Sequence, residues 1–497
     1  MRISLSPFNL VITLCVISGS HAMGDDLLAS NADMIHSGDL AGDQLGRSLT
    51  MLEDVDGDEI PDYAVGMRGN ITGINSAGRV TVFSGATNTA LWSLDGESAL
   101  DHFGEEIASA GDVDNDGFGD LIVGAWNNAA GGASAGRAYV YSGAGGPPLY
   151  IFTGLMPGDT LGDSVASAGD VNNDGHDDLI VGVPTSDIGA SNTGSFRVYS
   201  GIDGSFIYSV NGDNANDRLG ICVAGIGDVN DDGFDDVAVG AHLFDDGGGA
   251  ADNRGRVSVY EGNTGDLLYS IVGEAAGDNF GWVVSGMGDA NNDGSPDFAV
   301  GAPLNDARGS NTGLVYIYSG PDGKQLHRFI GERAADKLGL TVAPAGDVDN
   351  DGHDDLLTGA WWFDIGMDSG DNRGRAYIFS GNTGDELFTI TGESSRDHLG
   401  RPVAGGKDIN SDGTPDVLIG ARDNDETGED AGRSYLIYLP RACPADLNGD
   451  ASLDFFDISA FLTAFTTQDP VADFTGDGNF NFFDVSAFLN AFNTGCP

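Results

Sequence analysis

Residues 112–120 read DVDNDGFGD, and this nine-residue segment decides the fold because it is one of seven. The others are DVDGDEIPD from Asp54, DVNNDGHDD from Asp170, DVNDDGFDD from Asp228, DANNDGSPD from Asp289, DVDNDGHDD from Asp347 and DINSDGTPD from Asp408. Successive starts lie 58, 58, 58, 61, 58 and 61 residues apart. So regular a spacing marks a repeat architecture. In the second copy FGEEIASAGDV precedes the acidic loop, and DLIVGA, GRAYVYSG and LYIFTG follow it. Short runs rich in Val, Ile, Tyr and Phe, bounded by Gly, Asn and Asp, are strands, so each repeat predicts a sheet of four. One such sheet cannot bury both its faces, and neighbours must stack on it. The expectation is a mainly β fold, a seven-bladed β-propeller of four-stranded antiparallel blades. Small residues in the first strand (Ala108, Ser109, Ala110, Gly111) suit the crowding near an axis. The last repeat stops at Pro440 without a fourth strand, and Ala32 to Ser37 stands where that strand would belong. This N-terminal stretch is expected to complete the seventh blade and lock the ring.

The chain has 497 residues, 22 Lys+Arg against 77 Asp+Glu, and a formal charge of −55. Such a field repels phosphate backbones and anionic lipid, arguing against nucleic-acid and membrane-surface binding, and it attracts cations. Glycine is abundant, 78 residues, yet has no three-residue period, which excludes collagen. Residues 1–22 read as a signal peptide: Arg2, an apolar stretch from Phe8 to Ser18, then the small-x-small pattern Ser20-His21-Ala22. An exported protein without a transmembrane segment is expected, secreted or associated with the cell surface.

Positions 1, 3, 5 and 9 of every acidic segment are Asp or Asn. They are Asp54, Asp56, Asp58 and Asp62; Asp112, Asp114, Asp116 and Asp120; Asp170, Asn172, Asp174 and Asp178; and Asp228, Asn230, Asp232 and Asp236. Then follow Asp289, Asn291, Asp293 and Asp297; Asp347, Asp349, Asp351 and Asp355; and Asp408, Asn410, Asp412 and Asp416. Oxygens at alternate positions converge on one point, and Gly at position 6 permits the turn between them; only the Asp54 loop lacks that Gly. This is the chemistry of a hard cation, with calcium favoured over magnesium because one flexible loop supplies many oxygens. About seven calcium ions are expected in the propeller. A further Asp stands two residues before each Leu-Gly or Phe-Gly pair (Asp43, Asp101, Asp159, Asp217, Asp278, Asp336, Asp397). Its sevenfold recurrence points to a structural job at a blade-to-blade turn.

The repeat resembles the FG-GAP repeat of integrin α-subunit propellers. Phe103-Gly104 and Phe280-Gly281 match its FG, and Gly301-Ala302-Pro303 its GAP. The resemblance covers about residues 30 to 440 and implies calcium in hairpin loops on one face of a seven-bladed propeller. Integrin propellers carry these loops in only some blades, whereas this chain has one in all seven, which suggests that calcium serves stability.

The domain boundaries expected are 23–441 for the propeller and 442–497 for a second module. There ADLNGDASLDFFDISAFLTAF is followed by ADFTGDGNFNFFDVSAFLNAF. Loop positions 1, 3, 5, 9 and 12 are Asp446, Asn448, Asp450, Asp454 and Asp457, then Asp473, Thr475, Asp477, Asn481 and Asp484. The spacing follows the EF-hand loop, each running into a short helix, and predicts two further calcium ions. The duplicate resembles a type I dockerin, which implies a cohesin-like partner. Cys443 and Cys496 bracket it and are expected to form a disulfide in an exported protein; Cys222 reads as a buried free thiol.

No nucleophile elbow, HExxH or phosphate loop occurs. The loops after each second strand vary most between repeats. They carry Arg68, Trp126, His242, Phe244, Trp361, Trp362, Phe363 and Arg422, a candidate face for a glycan or protein ligand. A second reading packs some of these between blades. The function expected is a secreted, calcium-binding adhesion module with an anchoring tail, a binder more than an enzyme. The alternative is a polysaccharide-active hydrolase or lyase on a propeller scaffold.

Overall fold

A computed structural model of the chain describes residues 26–69, 76–246, 252–365 and 370–440, and in the C-terminal segment residues 445, 447, 453–468, 470–472, 474 and 479–494. One compact unit spans Gly24–Ala442 and another holds Cys443–Pro497. The proposed signal segment, the Cys443–Cys496 pair, and Asp446, Asn448, Asp450, Asp473, Thr475 and Asp477 lie outside the described residues.

The first unit is a seven-bladed propeller of antiparallel blades. Blade 2 shows the plan: Ile107–Gly111 innermost, then Asp120–Ala125, Arg137–Tyr141 and Tyr150–Thr153 at the rim. Six of the seven second strands, Asp120–Ala125 among them, are buried along their whole length, because they are covered on both sheet faces by neighbouring blades. That is why they read as continuous apolar runs and not as alternating ones. First strands are short and rich in small residues, as the axis requires, and pack against one another around it.

The FG and GAP motifs are two halves of one contact. The glycine of each second strand presses on the Leu-Gly or Phe-Gly glycine of the next blade: a Cβ on Gly124 would lie 2.1 Å from the Gly162 carbonyl oxygen, and one on Gly182 2.1 Å from that of Gly220. Beside it the Leu or Phe, such as Phe103, Leu161 or Phe280, is buried between sheets. Gly136, at φ +83°, forms a parallel bridge to Leu161 of the following blade, and the same bridge recurs at Gly194–Leu219, Gly255–Phe280, Gly313–Leu338 and Gly374–Leu399. Leu45 and Gly432 repeat it across the point where the ring closes.

Closure follows the sequence expectation. Met34–Ser37 pairs antiparallel with Arg433–Ile437 as the rim strand of blade 7, in register from Met34 opposite Leu436 to Ser37 opposite Arg433. One element was not anticipated: Asp26–Leu28 adds a parallel fifth strand to the rim of blade 6. In the second unit two helices, Phe455–Thr467 and Phe482–Thr494, meet through Phe461 and Phe488, whose rings stack 4.1 Å apart. Among the described residues no helix is long and apolar enough to cross a membrane.

Candidate metal centres and ligand face

Successive strands of a blade run antiparallel, so the loops after strands one and three emerge on one face and those after strands two and four on the other. All seven acidic segments lie in the first-to-second loop and therefore share a face. Within each, the position-1 carboxylate organises the turn. Asp112 accepts from the backbone N–H of Asp116 at 3.1 Å and of Gly117 at 3.0 Å, and Asp170, Asp228, Asp289, Asp347 and Asp408 repeat both bonds. The position-5 carboxylate accepts from the N–H of position 7, as Asp116 does from Phe118 at 3.0 Å. The chain turns left-handed at positions 4 and 6, at Asn115 (φ 55°) and Gly117 (φ 91°) in this copy. The first loop keeps that path with its residues exchanged, Gly57 at φ 85° and Glu59 at φ 69°. The missing glycine thus leaves the cage shape intact, and Glu59 carries the strain.

Carboxylate oxygens of Asp54, Asp56 and Asp58, of Asp112, Asp114 and Asp120, and of Asp347, Asp349 and Asp351 lie within 4.8 Å of one another. An all-oxygen donor set at this spacing fits a calcium-sized ion. In the loops with Asn at position 3, the Asn172 and Asn291 amide nitrogens meet the position-9 carboxylate, and a half-turn of χ2 would present the oxygen instead.

Position 9 has a second job that its sequence pattern did not reveal. Asp62, Asp120, Asp178, Asp236, Asp297, Asp355 and Asp416 are all fully buried. In Asp120, Oδ2 accepts from the Val113 N–H at 2.8 Å and Oδ1 from the Gly143 N–H at 2.9 Å, so the carboxylate pins its own loop to the hairpin between strands three and four. The Gly85, Gly201, Gly262, Gly320, Gly381 and Leu439 N–H groups fill the second role in the other blades. Burial pushes these carboxyls up, to about 6 in Asp62 and Asp297 and to about 8 in Asp355 and Asp416, against the opposing pull of the backbone N–H donors. Position 8 was also missed: Asp235 accepts from the Asp170 N–H at 2.9 Å and Asp354 from the Asp289 N–H at 3.0 Å, tying adjacent loops. Asp at position 8 occurs in only three copies, too few to stand out.

The aspartates before Leu-Gly or Phe-Gly do the structural work expected of them. Asp43 Oδ2 accepts from the Leu40 N–H at 2.8 Å and Asp159 Oδ2 from the Met156 N–H at 2.9 Å, and all seven are buried. In the C-terminal unit Asp454 caps its helix and Asp457 bonds back to the Asp454 N–H at 2.9 Å, a capping box. Asn481 and Asp484 repeat that back-bond at 2.8 Å.

The candidate ligand residues divide. His242 is buried edge-on against Trp282, its rings 4.8 Å apart, and burial pushes its imidazole down to about 4. Phe363 is buried in the core beneath the Arg375 guanidinium, and Phe244 lies half-buried 4.3 Å from that of Arg256. These three pack between blades. Arg68 bonds His102 Nε2 at 3.3 Å, and Trp126 donates its indole N–H to Glu105 at 2.9 Å. Trp361 and Trp362 remain half-buried on the face, with Arg422 5.4 Å from the Trp361 ring.

On the same face a cavity of about 310 Å³ opens at the axis. It is ringed by the residue after each Leu-Gly or Phe-Gly: Arg47, Glu105, Asp163, Ile221, Trp282, Leu340 and Arg401. One arc is charged and the other apolar. Arg47 pairs with Glu105. Glu106 faces the cavity but is surrounded by protein, which pushes its carboxyl up to about 8; Asp163 rises to about 6 for the same reason. Sequence reading passed over this ring, although it follows an otherwise constant dipeptide and varies in charge from copy to copy.

Comparison with known proteins agrees with this architecture. The FG-GAP repeat model matches residues 103–141, 161–199, 280–318, 338–379 and 400–437. Among curated relatives, integrin alpha-V of Gallus gallus is 32% identical over 219 residues, covering 42% of this chain and 20% of its own length. Integrin alpha-8 of Gallus gallus is 32% identical over 214 residues, 40% of this chain and 20% of the relative. Integrin alpha pat-2 of Caenorhabditis briggsae is 31% identical over 228 residues, 41% and 18%. The chain spans about a fifth of the length of these relatives. The propeller is integrin-alpha-like and carries FG-GAP repeats.

Proposed function

We propose that this chain is an exported adhesion or ligand-binding module, its propeller stabilised by calcium and its C-terminal unit serving as an anchor. One observation carries the reading: the two faces are chemically distinct. Seven acidic loops occupy one, three of them with carboxylate oxygens already gathered within 4.8 Å, while the other carries Trp126, Trp361, Trp362, Arg68 and Arg422 and the mouth of the axial cavity. Calcium would be held in each propeller loop by the carboxylate and amide oxygens of positions 1, 3, 5 and 9. Bound there, it supplies positive charge that offsets the mutual repulsion of those carboxylates. About seven ions in the propeller and two in the C-terminal loops is the proposed complement. Integrin alpha relatives support a protein ligand; we assign it to the cage-free face, whose aromatics leave a glycan open. Four phenylalanines at the starts of the C-terminal helices, Phe455, Phe456, Phe482 and Phe483, are 73%, 64%, 76% and 69% exposed. Their repetition in both copies supports a docking role for the tail toward a cohesin-like partner.

The test is to screen the calcium-loaded chain against protein and glycan arrays and repeat any hit with Trp126, Trp361 and Arg422 changed together to Ala. Loss of binding is expected in a chain that still unfolds in one cooperative melt; binding that survives the triple change refutes the assignment of the face. A polysaccharide-active enzyme has one observation in its favour, the cavity carboxyls of Glu106 and Asp163 with values suited to a general acid. Glycan turnover abolished by Glu106→Gln would establish it.

A further inference from the structure

The charged and aromatic groups beside the axial cavity are unevenly satisfied. Around Trp126 a carboxylate is at hand: the indole N–H, His102 and Arg47 all converge on Glu105. Three blades round, the balance is different. The Lys337 ammonium lies 3.6 Å from the Trp362 ring centre, and the Arg401 guanidinium 4.6 Å from that of Trp361. The two indoles are 5.4 Å apart. Among the described residues neither cation has a carboxylate within ion-pair distance, and both indole N–H groups are buried without an acceptor. The neighbouring Asp423 is already taken, by Gln44 on Oδ1 and by His398 and Arg422 on Oδ2. Asp423, Glu105 and Glu106 attract Arg401 at longer range. Even so, desolvation and the repulsion of Arg47 push its guanidinium down to about 10, and burial, with Arg401 adding its repulsion, lowers Lys337. Four donors therefore crowd together with no acceptor among them, in a chain whose formal charge is −55.

We propose that Lys337, Arg401, Trp361 and Trp362 form a receptor site for one carboxylate, the acidic side chain of a protein partner. An anion there would supply the missing acceptors and relieve the repulsion between the cations, and charge-assisted bonds of this kind are the strong ones. The global field limits the partner: a polyanion is repelled by the chain as a whole, whereas a single carboxylate on a weakly charged ligand meets mainly the local cations. The aromatic geometry favours a peptide over an acidic sugar, because Lys337 and Arg401 already cover the indole faces on which a pyranose ring would stack. The apolar arc of Ile221, Trp282 and Leu340 across the cavity mouth offers room for a nonpolar neighbour of the acidic residue. This inference rests on the cage-free face being the ligand face.

Nuclear magnetic resonance of the full calcium-loaded chain with isotope-labelled indoles tests it. Five tryptophans give five indole N–H signals. Titration with acetate, then with a short aspartate-containing peptide, is expected to move two of them saturably, the peptide binding more tightly. Chloride at equal ionic strength should not move them. Arg401→Gln and Lys337→Gln should each weaken the response about tenfold or more, and Lys407→Gln on the opposite face should not. Signals that stay still, that move equally with chloride, or that still respond when Arg401 and Lys337 are both changed to Gln overturn the site. Galacturonate binding more tightly than the peptide overturns the choice of partner. Empty ligand arrays together with an intact carboxylate response would refute the adhesion reading and leave the anion site standing.

Discussion

Changing Asp355 to Ala separates the two roles of position 9. Its carboxylate is fully buried and accepts from the Val348 N–H at 2.9 Å and the Gly381 N–H at 3.0 Å. Removing it leaves two buried donors without partners, at about 1–3 kcal/mol each, so a loss of about 2–6 kcal/mol is expected without any metal. If calcium sits in the loop, its linked stabilisation is lost as well, about 2.7 kcal/mol at a hundredfold excess over Kd. The isosteric Asp355→Asn keeps one acceptor oxygen and should show roughly half the metal-independent loss. Asp351→Ala is the contrast: its Oδ1 accepts from the His353 N–H at 3.1 Å and its Oδ2 from the Asn382 side-chain amide at 3.0 Å, both exposed bonds, so it should matter little in chelator, about 0.5 kcal/mol, and matter clearly in calcium. The assay is calorimetric melting of each variant with calcium and with chelator, where Asp355→Ala should melt several degrees low in both. If it melts with the parent in chelator, the double hydrogen bond contributes nothing and the account of position 9 is wrong.

Other outcomes follow from the same geometry. The position-9 carboxyls have folded values raised to about 6–8 against about 3.9 in the unfolded chain. The folded metal-free protein therefore holds more protons, and its stability should fall as pH rises from about 4 to 8. With calcium locking the carboxylates ionised, stability should instead fall as pH drops; denaturant midpoints across that range, with and without chelator, measure both signs. Gly117→Ala, at φ +91° with nothing within 4 Å of the new Cβ, should show only left-handed strain of about 1–2 kcal/mol. Gly136→Ala adds a contact of 2.2 Å with the Leu161 carbonyl oxygen of the next blade, so its melt should fall further; equal losses would mean the blades part easily. Phe456→Ser with Phe483→Ser should abolish capture of a tail partner at an unchanged melt, and undiminished capture would remove the phenylalanines from the docking surface.

The repeat made the architecture legible before any coordinates, since four strand signals around each acidic loop leave few ways to bury seven sheets. Ala32 to Ser37 was readable as the closing strand because it holds the place of a missing element. Asp26–Leu28 was not, because three residues carry no alternation. For the site, spacing showed which oxygens gather, but not that position 9 also pins the third-to-fourth hairpin: that bond joins Asp120 to Gly143 across 23 residues, and nothing local marks it. In the loops after the second strands, residue type alone could not separate Phe363 and His242, which turn into the core, from Trp361 and Trp362, which stay at the face. Lys337 and Arg401 were overlooked because each sits beside a dipeptide whose structural role hides its neighbours.

The central claim is that the seven acidic loops are calcium cages and not merely turns. It is tested most directly by counting calcium retained by the full chain after exhaustive dialysis, by elemental analysis against protein concentration, in the parent and in a variant with positions 1 and 5 of the Asp347 loop changed to Asn. About nine ions per chain, seven in the propeller and two in the C-terminal loops, with about one fewer in the variant, is the predicted result. Two or fewer ions, or a count the variant leaves unchanged, would contradict it.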